Sequence, residues 1–187
     1  FISLTARANY RSMDRPDIQF SVHQLCKHMS EPRESGRQPM KRLGRYLTGE
    51  PRRARWFPTQ IEPSCLDVFS DSDWAGDRQT RESTAGGIAK YGLHTLKTWS
   101  KGKGIVALSS AEAELYAMVR GTMEGVGMAS LLEDAKTQKL QTHMHSDASV
   151  ALGIIDRQGA GKLGISIHMY FGCKTRSSRT VYSSKQC

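Results

Sequence analysis

VFSDSDWAGD, residues 68–77, starts as a run of β-formers and breaks at acidic, turn-prone residues. Two further acidic segments follow it: SSAEAELYAM at 109–118 and MHSDASVALGI at 144–154. Each sets a carboxylate at the edge of an apolar run. The first and third place Asp71 (with Asp73) and Asp147 where a strand stops. The second places Glu112 and Glu114 in the first turns of a helix capped by Ser109-Ser110. At about 100° per residue the two glutamates diverge by roughly 200°, so only one of them can face a given site.

Reading outward from the first segment, CLDVFS, STAGGIAKYG and TLKTWSKG are strands; the first is ended by Asp71, and the other two are joined near Gly92. A long helix follows from Ser110 to about Asp134, then a strand QTHMHS and a short helix from Ser149 to about Arg157. The order β-β-β-α-β-α predicts a mixed sheet with an antiparallel front and a parallel strand added by crossover. Upstream, Pro16-Asp17 opens a helix that keeps Ile18, Val22, Leu25 and Met29 on one face. A second helix within GRQPMKRLGRYLTGE aligns Met40, Leu43, Tyr46 and Leu47 and stops near Gly49-Glu50-Pro51. Trp56-Phe57 and the prolines after them form a connection. The tail after Gly159 supports one strand at most and is expected to be loosely ordered.

Lys and Arg outnumber Asp and Glu by 27 to 18, a net charge of +9. The excess concentrates in residues 33–55 and in residues 157–187, which contain no acid at all. Two basic stretches are the footprint of a surface for phosphate backbones, although a solvated helix face explains either one alone. No apolar run reaches the roughly 18–20 residues of a membrane span. The chain begins at Phe1, not at an initiator methionine and without a signal-peptide pattern, so a piece of a longer protein is expected. Cys26, Cys65, Cys173 and Cys187 have neither metal-type nor disulfide-type spacing, which predicts reduced intracellular thiols. His143 and His145 share one face of a strand, a pattern more typical of surface decoration than of a ligand pair.

A basic chain that gathers carboxylates from distant positions points to a divalent-metal site in a surface for a polyanion, and so to a nuclease. Phosphodiester cleavage by two Mg²⁺ needs such a cluster, because magnesium prefers hard oxygen ligands. Each acid also has a plainer role. Asp71 and Asp73 can start a turn, Asp147 can cap a helix, and Glu112 and Glu114 can favour a helix N-terminus. The ordered combination carries the argument.

FSDSDWAGDRQTRESTAGG, TWSKGKGIVALSSAEAELYAM and HSDASVALGI together resemble the ribonuclease H domain of copia-type retrotransposon Pol polyproteins. ANYRSMDRPDIQFSVHQLCKHMSEP and MKRLGRYLTG resemble the segment that closes the reverse transcriptase in the same polyproteins. The resemblance covers about residues 5–160. It implies an α/β, ribonuclease H-like mixed five-stranded sheet flanked by helices and preceded by a small helical segment. Residues 1–62 would be the reverse-transcriptase remnant, 63–160 the ribonuclease H-like domain and 161–187 a basic tail. It also implies hydrolysis of the RNA strand of an RNA–DNA hybrid with two Mg²⁺, or Mn²⁺ in their place. By position Asp71, Glu114 and Asp147 match the catalytic, metal-binding acids, with Asp73 in reserve for Asp71. Arg78, Arg81, Ser83, Thr84, Lys101 and Lys103 would hold the hybrid. The remainder of the polyprotein and its reverse transcriptase would be the partner, with no membrane, in the cytoplasm within a virus-like particle or in the nucleus.

The chain departs from the family pattern at its end. The family uses a fourth acid near a basic tail, but no Asp or Glu follows Asp156 here, and His168 is the one residue that could stand in. Metals without that carboxylate would be held less firmly. The rival reading is a catalytically inactive element remnant that keeps the fold and binds nucleic acid.

Overall fold

In a computed structural model the described residues are 1–32, 34–77, 80–102, 106–136 and 140–147, with 165–169 and 180–181 described at the backbone. They divide into two compact units: Phe1–Phe57 with Trp99–Lys101, and Pro58–Thr98 with Gly102–Cys187.

The first unit holds α1 (Ile2–Ser12), α2 (Pro16–Cys26) and α3 (Arg37–Gly49), with a short 3-10 turn at Glu34–Gly36. Ala8, Ile18, Val22, Leu25 and Leu43 form its core, with Phe1, Cys26, Met40 and Leu47 packed against them. The sequence reading starts its helices at Pro16 and so misses α1. That helix buries Thr5, Ala8 and Ser12 and exposes Ile2 and Leu4, so its inner face carries no apolar stripe. Arg15, extended as a residue before proline tends to be, ties α2 to the end of α3. Its guanidinium grips Asp17 through Nε and Nη2 (3.0 and 2.8 Å) and donates to the Glu50 carbonyl at 3.1 Å. Tyr46 adds a hydroxyl donation to Asp17 at 2.7 Å.

The second unit is α/β. Its mixed sheet is built on β1 (Cys65–Asp73), β2 (Thr84–Tyr91), β3 (His94–Gly102) and β4 (Gln141–Ser146), and the long helix α4 (Ser110–Lys136) packs on it. Two short backbone strands, β5 (Ile165–Met169) and β6 (Thr180–Val181), continue the edge, giving the order β3-β2-β1-β4-β5-β6. They fall in the stretch for which the sequence reading allowed one strand; the short helix expected at 149–157 lies outside the described residues. β1 runs antiparallel to β2 and parallel to β4, the crossover pattern that α4 provides.

Alternation along β1 buries Leu66, Val68 and Ser70. α4 turns Ala113, Ala117, Met118 and Ala129 inward. It approaches the sheet closely because Gly121 and Gly125 lack side chains. A Cβ on Gly125 would lie 2.9 Å from both Thr142 Cγ2 and Val68 Cγ2, and one on Gly121 would lie 3.2 Å from Ser70 Cβ. Gly92, at φ +59, supplies the left-handed residue of the β2–β3 turn.

Candidate functional site

β1 does not stop at Asp71, as the sequence reading has it, but runs on to Asp73, because Thr84 and Ala85 extend β2 alongside it. Asp71 therefore stands inside the ladder, opposite Gly86, with Ser70 opposite Gly87. Two partners without side chains leave the sheet bare beside it. A groove of about 390 Å³ results, lined by Asp71 and Phe69 of β1, by Gly86 and Ile88 of β2, and by His145 and Asp147 at the end of β4.

Two local devices bring α4 to this place. The first is the β1–β2 connection. Trp74 donates its indole N–H to the carbonyl of Ala107, just before α4, at 3.1 Å. Ala75 takes a positive φ of 51° and donates its N–H to Ser83 Oγ at 3.1 Å. Asp77 closes the loop by accepting the Thr80 N–H at 3.1 Å and, through its carbonyl, the Arg81 N–H at 2.8 Å. The second device is the helix cap. Ser109 Oγ accepts the Glu112 N–H at 3.2 Å, and Glu112 reaches back to accept the Leu108 N–H at 2.8 Å. This is a capping box shifted by one residue, a device that stabilises a helix start by about 1 kcal/mol.

Glu112 is thus engaged in starting the helix. Glu114, half a turn further on and half-buried, is the residue that meets the sheet acids. Asp71, Glu114 and Asp147 offer carboxylate oxygens that all lie within 4.8 Å of one another. Asp71 and Asp147 are exposed, and Asp71 Oδ1 accepts the backbone N–H of Ser72 at 2.7 Å, which orients it. Asp73 lies outside this group and sits over Gly76, where a Cβ would meet its carboxylate. Three carboxylates from three separate elements suit a hard divalent cation in donor type and in spacing.

The residues expected to hold nucleic acid fare unevenly. Arg81 and Lys101 are exposed. Ser83 and Thr84 are buried, at 0% and 5% exposure, and Ser83 Oγ supports the Ala75 turn, so as the chain stands they shape the loop and present no surface. Arg78 and Lys103 lie outside the described residues. The histidine pair is not surface decoration: His145 is buried, its ring stacks on Phe69 with centroids 4.3 Å apart, and its Nε2 lies 2.7 Å from Asp67 Oδ1. No helix among the described residues is long and apolar enough to cross a membrane.

No family model matches the chain. It is 38% identical over 127 residues to a retrovirus-related Pol polyprotein from transposon RE1 of Arabidopsis thaliana, covering 67% of this chain and 8% of that protein. It is 35% identical over 131 residues to the corresponding polyprotein from transposon RE2 of the same plant, covering 69% of this chain and 9% of that one. A further relative, secreted RxLR effector protein 161 of Plasmopara viticola, is 37% identical over 112 residues, which are 60% of this chain and 78% of that protein. The chain therefore spans less than a tenth of the two polyproteins it matches. On these matches, the chain belongs to the family of copia-type retrotransposon Pol polyproteins, as a short part of one.

Proposed function

We propose that this part of the polyprotein is a ribonuclease H-like domain, a metal-dependent endonuclease that hydrolyses the RNA strand of RNA–DNA hybrids. One observation carries the reading. Asp71, Glu114 and Asp147, separated by dozens of residues, converge within 4.8 Å at the edge of an open groove. The strand order with its helical crossover supports the same fold assignment.

Under this reading Asp71, Glu114 and Asp147 hold two Mg²⁺, or Mn²⁺. When bound, such ions activate water and stabilise the leaving oxygen of a phosphodiester. The chain's own residues prepare the place. The Ser72 N–H fixes the Asp71 carboxylate. The Ser109–Glu112 cap fixes the first turn of α4 and, with it, the backbone that carries Glu114. Gly86 and Gly87 clear the sheet so that a nucleic-acid backbone can come close. Arg78, Arg81, Lys101 and Lys103 supply positive charge for phosphates, and the remainder of the polyprotein, with its reverse transcriptase, is the partner in the cell interior.

The test is Asp71→Asn. It abolishes cleavage of a labelled hybrid while leaving salt-sensitive hybrid binding in place; cleavage that persists in the variant refutes the site. The rival reading is a module that keeps the fold and binds nucleic acid without cutting it. Binding without cleavage in the unaltered chain decides for it.

A further inference from the structure

We propose a second metal site, for a borderline cation of the Zn²⁺ class, on the face of the sheet turned away from α4: Cys65, Asp67 and His143 as ligands, with His145 orienting Asp67. The thiol, carboxylate and imidazole donor atoms of these residues all lie within 4.8 Å of one another. Cys65 and Asp67 are alternate residues of β1. His143 stands opposite Asp67 in the parallel register with β4. The donors therefore rise from two hydrogen-bonded strands, a rigid base of the kind that metal sites need.

The donor set is what separates this site from the carboxylate group at Asp71. A thiolate and an imidazole with a single carboxylate suit zinc, whereas magnesium takes oxygen ligands. The three residues are half-buried, so an ion reaches them from solvent and a water completes a four-coordinate shell. An outer layer is already built. His145 Nε2 stands 2.7 Å from Asp67 Oδ1, and its ring is held by the stack on Phe69. Ligating carboxylates are characteristically anchored by such a partner. Sequence spacing hides the site, because Cys65 and His143 are far apart in the chain and meet only through the β1–β4 pairing.

An ion here would clamp β1 to β4, the strands that deliver Asp71 and Asp147. The experiment is a Co²⁺ titration of the reduced 187-residue chain followed by absorption. One equivalent should raise a near-ultraviolet thiolate-to-cobalt band together with visible bands of four-coordinate cobalt, and Zn²⁺ should displace both. Cys65→Ser removes the near-ultraviolet band. His143→Ala, which leaves the thiol in place, weakens binding at least tenfold, and His145→Ala weakens it by about ten- to a hundredfold. Asp71→Asn leaves the bands unchanged, which separates this site from the carboxylate group. Absence of the near-ultraviolet band at excess cobalt overturns the proposal. So does a band that survives Cys65→Ser, since another thiol would then be the ligand, and so does unchanged affinity in His143→Ala.

Discussion

Replacing Gly125 by alanine sets two effects of known size against each other. Alanine is favoured over glycine in a helix interior by about 0.8–1.0 kcal/mol. Gly127, two residues further along α4, has nothing within 4 Å of an added Cβ, so Gly127→Ala should realise that gain in full. At Gly125 the new methyl would lie 2.9 Å from the Cγ2 atoms of Thr142 and Val68, where ordinary van der Waals contact begins at 3.4 Å. Both neighbours are β-branched, stiff at χ1 and rooted in the sheet, so they cannot swing aside as a Met terminus could. Overpacking of this kind costs about 1–3 kcal/mol. The net effect of Gly125→Ala runs from about zero to 2 kcal/mol of destabilisation, and the two variants should differ by about 1–3 kcal/mol. Urea denaturation of the two proteins side by side, with unchanged slopes, reads that difference as a shift in midpoint. Equal stabilisation by both alanines would refute the close approach of α4 to the sheet. Because α4 carries Glu114 and the sheet carries Asp71 and Asp147, the same overpacking should also lower any metal-dependent cleavage, which Gly127→Ala leaves alone.

Four other outcomes follow from the geometry. Glu112→Ala should destabilise α4 by about 1 kcal/mol through loss of the cap and leave metal-dependent cleavage measurable. Glu114→Gln should abolish cleavage with little change in the denaturation midpoint, and activity assays beside urea titrations separate the two. In the first unit the Arg15 guanidinium holds the Asp17 carboxyl well below the usual carboxylate range. A depressed carboxylate contributes stability that is present above its unfolded value, near pH 4, and is lost as pH falls below that toward the folded value. Amide exchange in α2 and α3 should therefore accelerate as pH is lowered below about 4, after correction for intrinsic rates, and Asp17→Asn should flatten that dependence. Arg15→Met, which leaves Asp17 at 13% exposure and short of its main partner, should lower the midpoint of a denaturant titration.

The strands β1 to β4 and the helices α2 to α4 could be read from the chain because their patterning is regular. Leu66 and Val68 alternate with solvent-facing residues, and Ile18, Val22 and Leu25 recur at helical spacing. α1 could not, because its buried face is Thr5, Ala8 and Ser12 and its apolar Ile2 and Leu4 point outward. The separate duties of Glu112 and Glu114 follow from helix periodicity, but which one starts the helix is a matter of hydrogen bonds to Leu108 and Ser109. Trp74 gives no sign in sequence that it anchors the loop before α4, since its partner is a backbone carbonyl 33 residues away. The Cys65, Asp67 and His143 group is invisible for the same reason: parallel pairing across a long crossover leaves no fixed spacing to read.

Cleavage of a strand-labelled RNA–DNA hybrid by the 187-residue chain with Mg²⁺ or Mn²⁺, beside an Asp147→Asn control, is the decisive experiment. A working site at Asp71, Glu114 and Asp147 gives metal-dependent cutting of the RNA strand alone, lost in the control. Hybrid bound but left intact at every metal concentration, or cutting that survives Asp147→Asn, would contradict it.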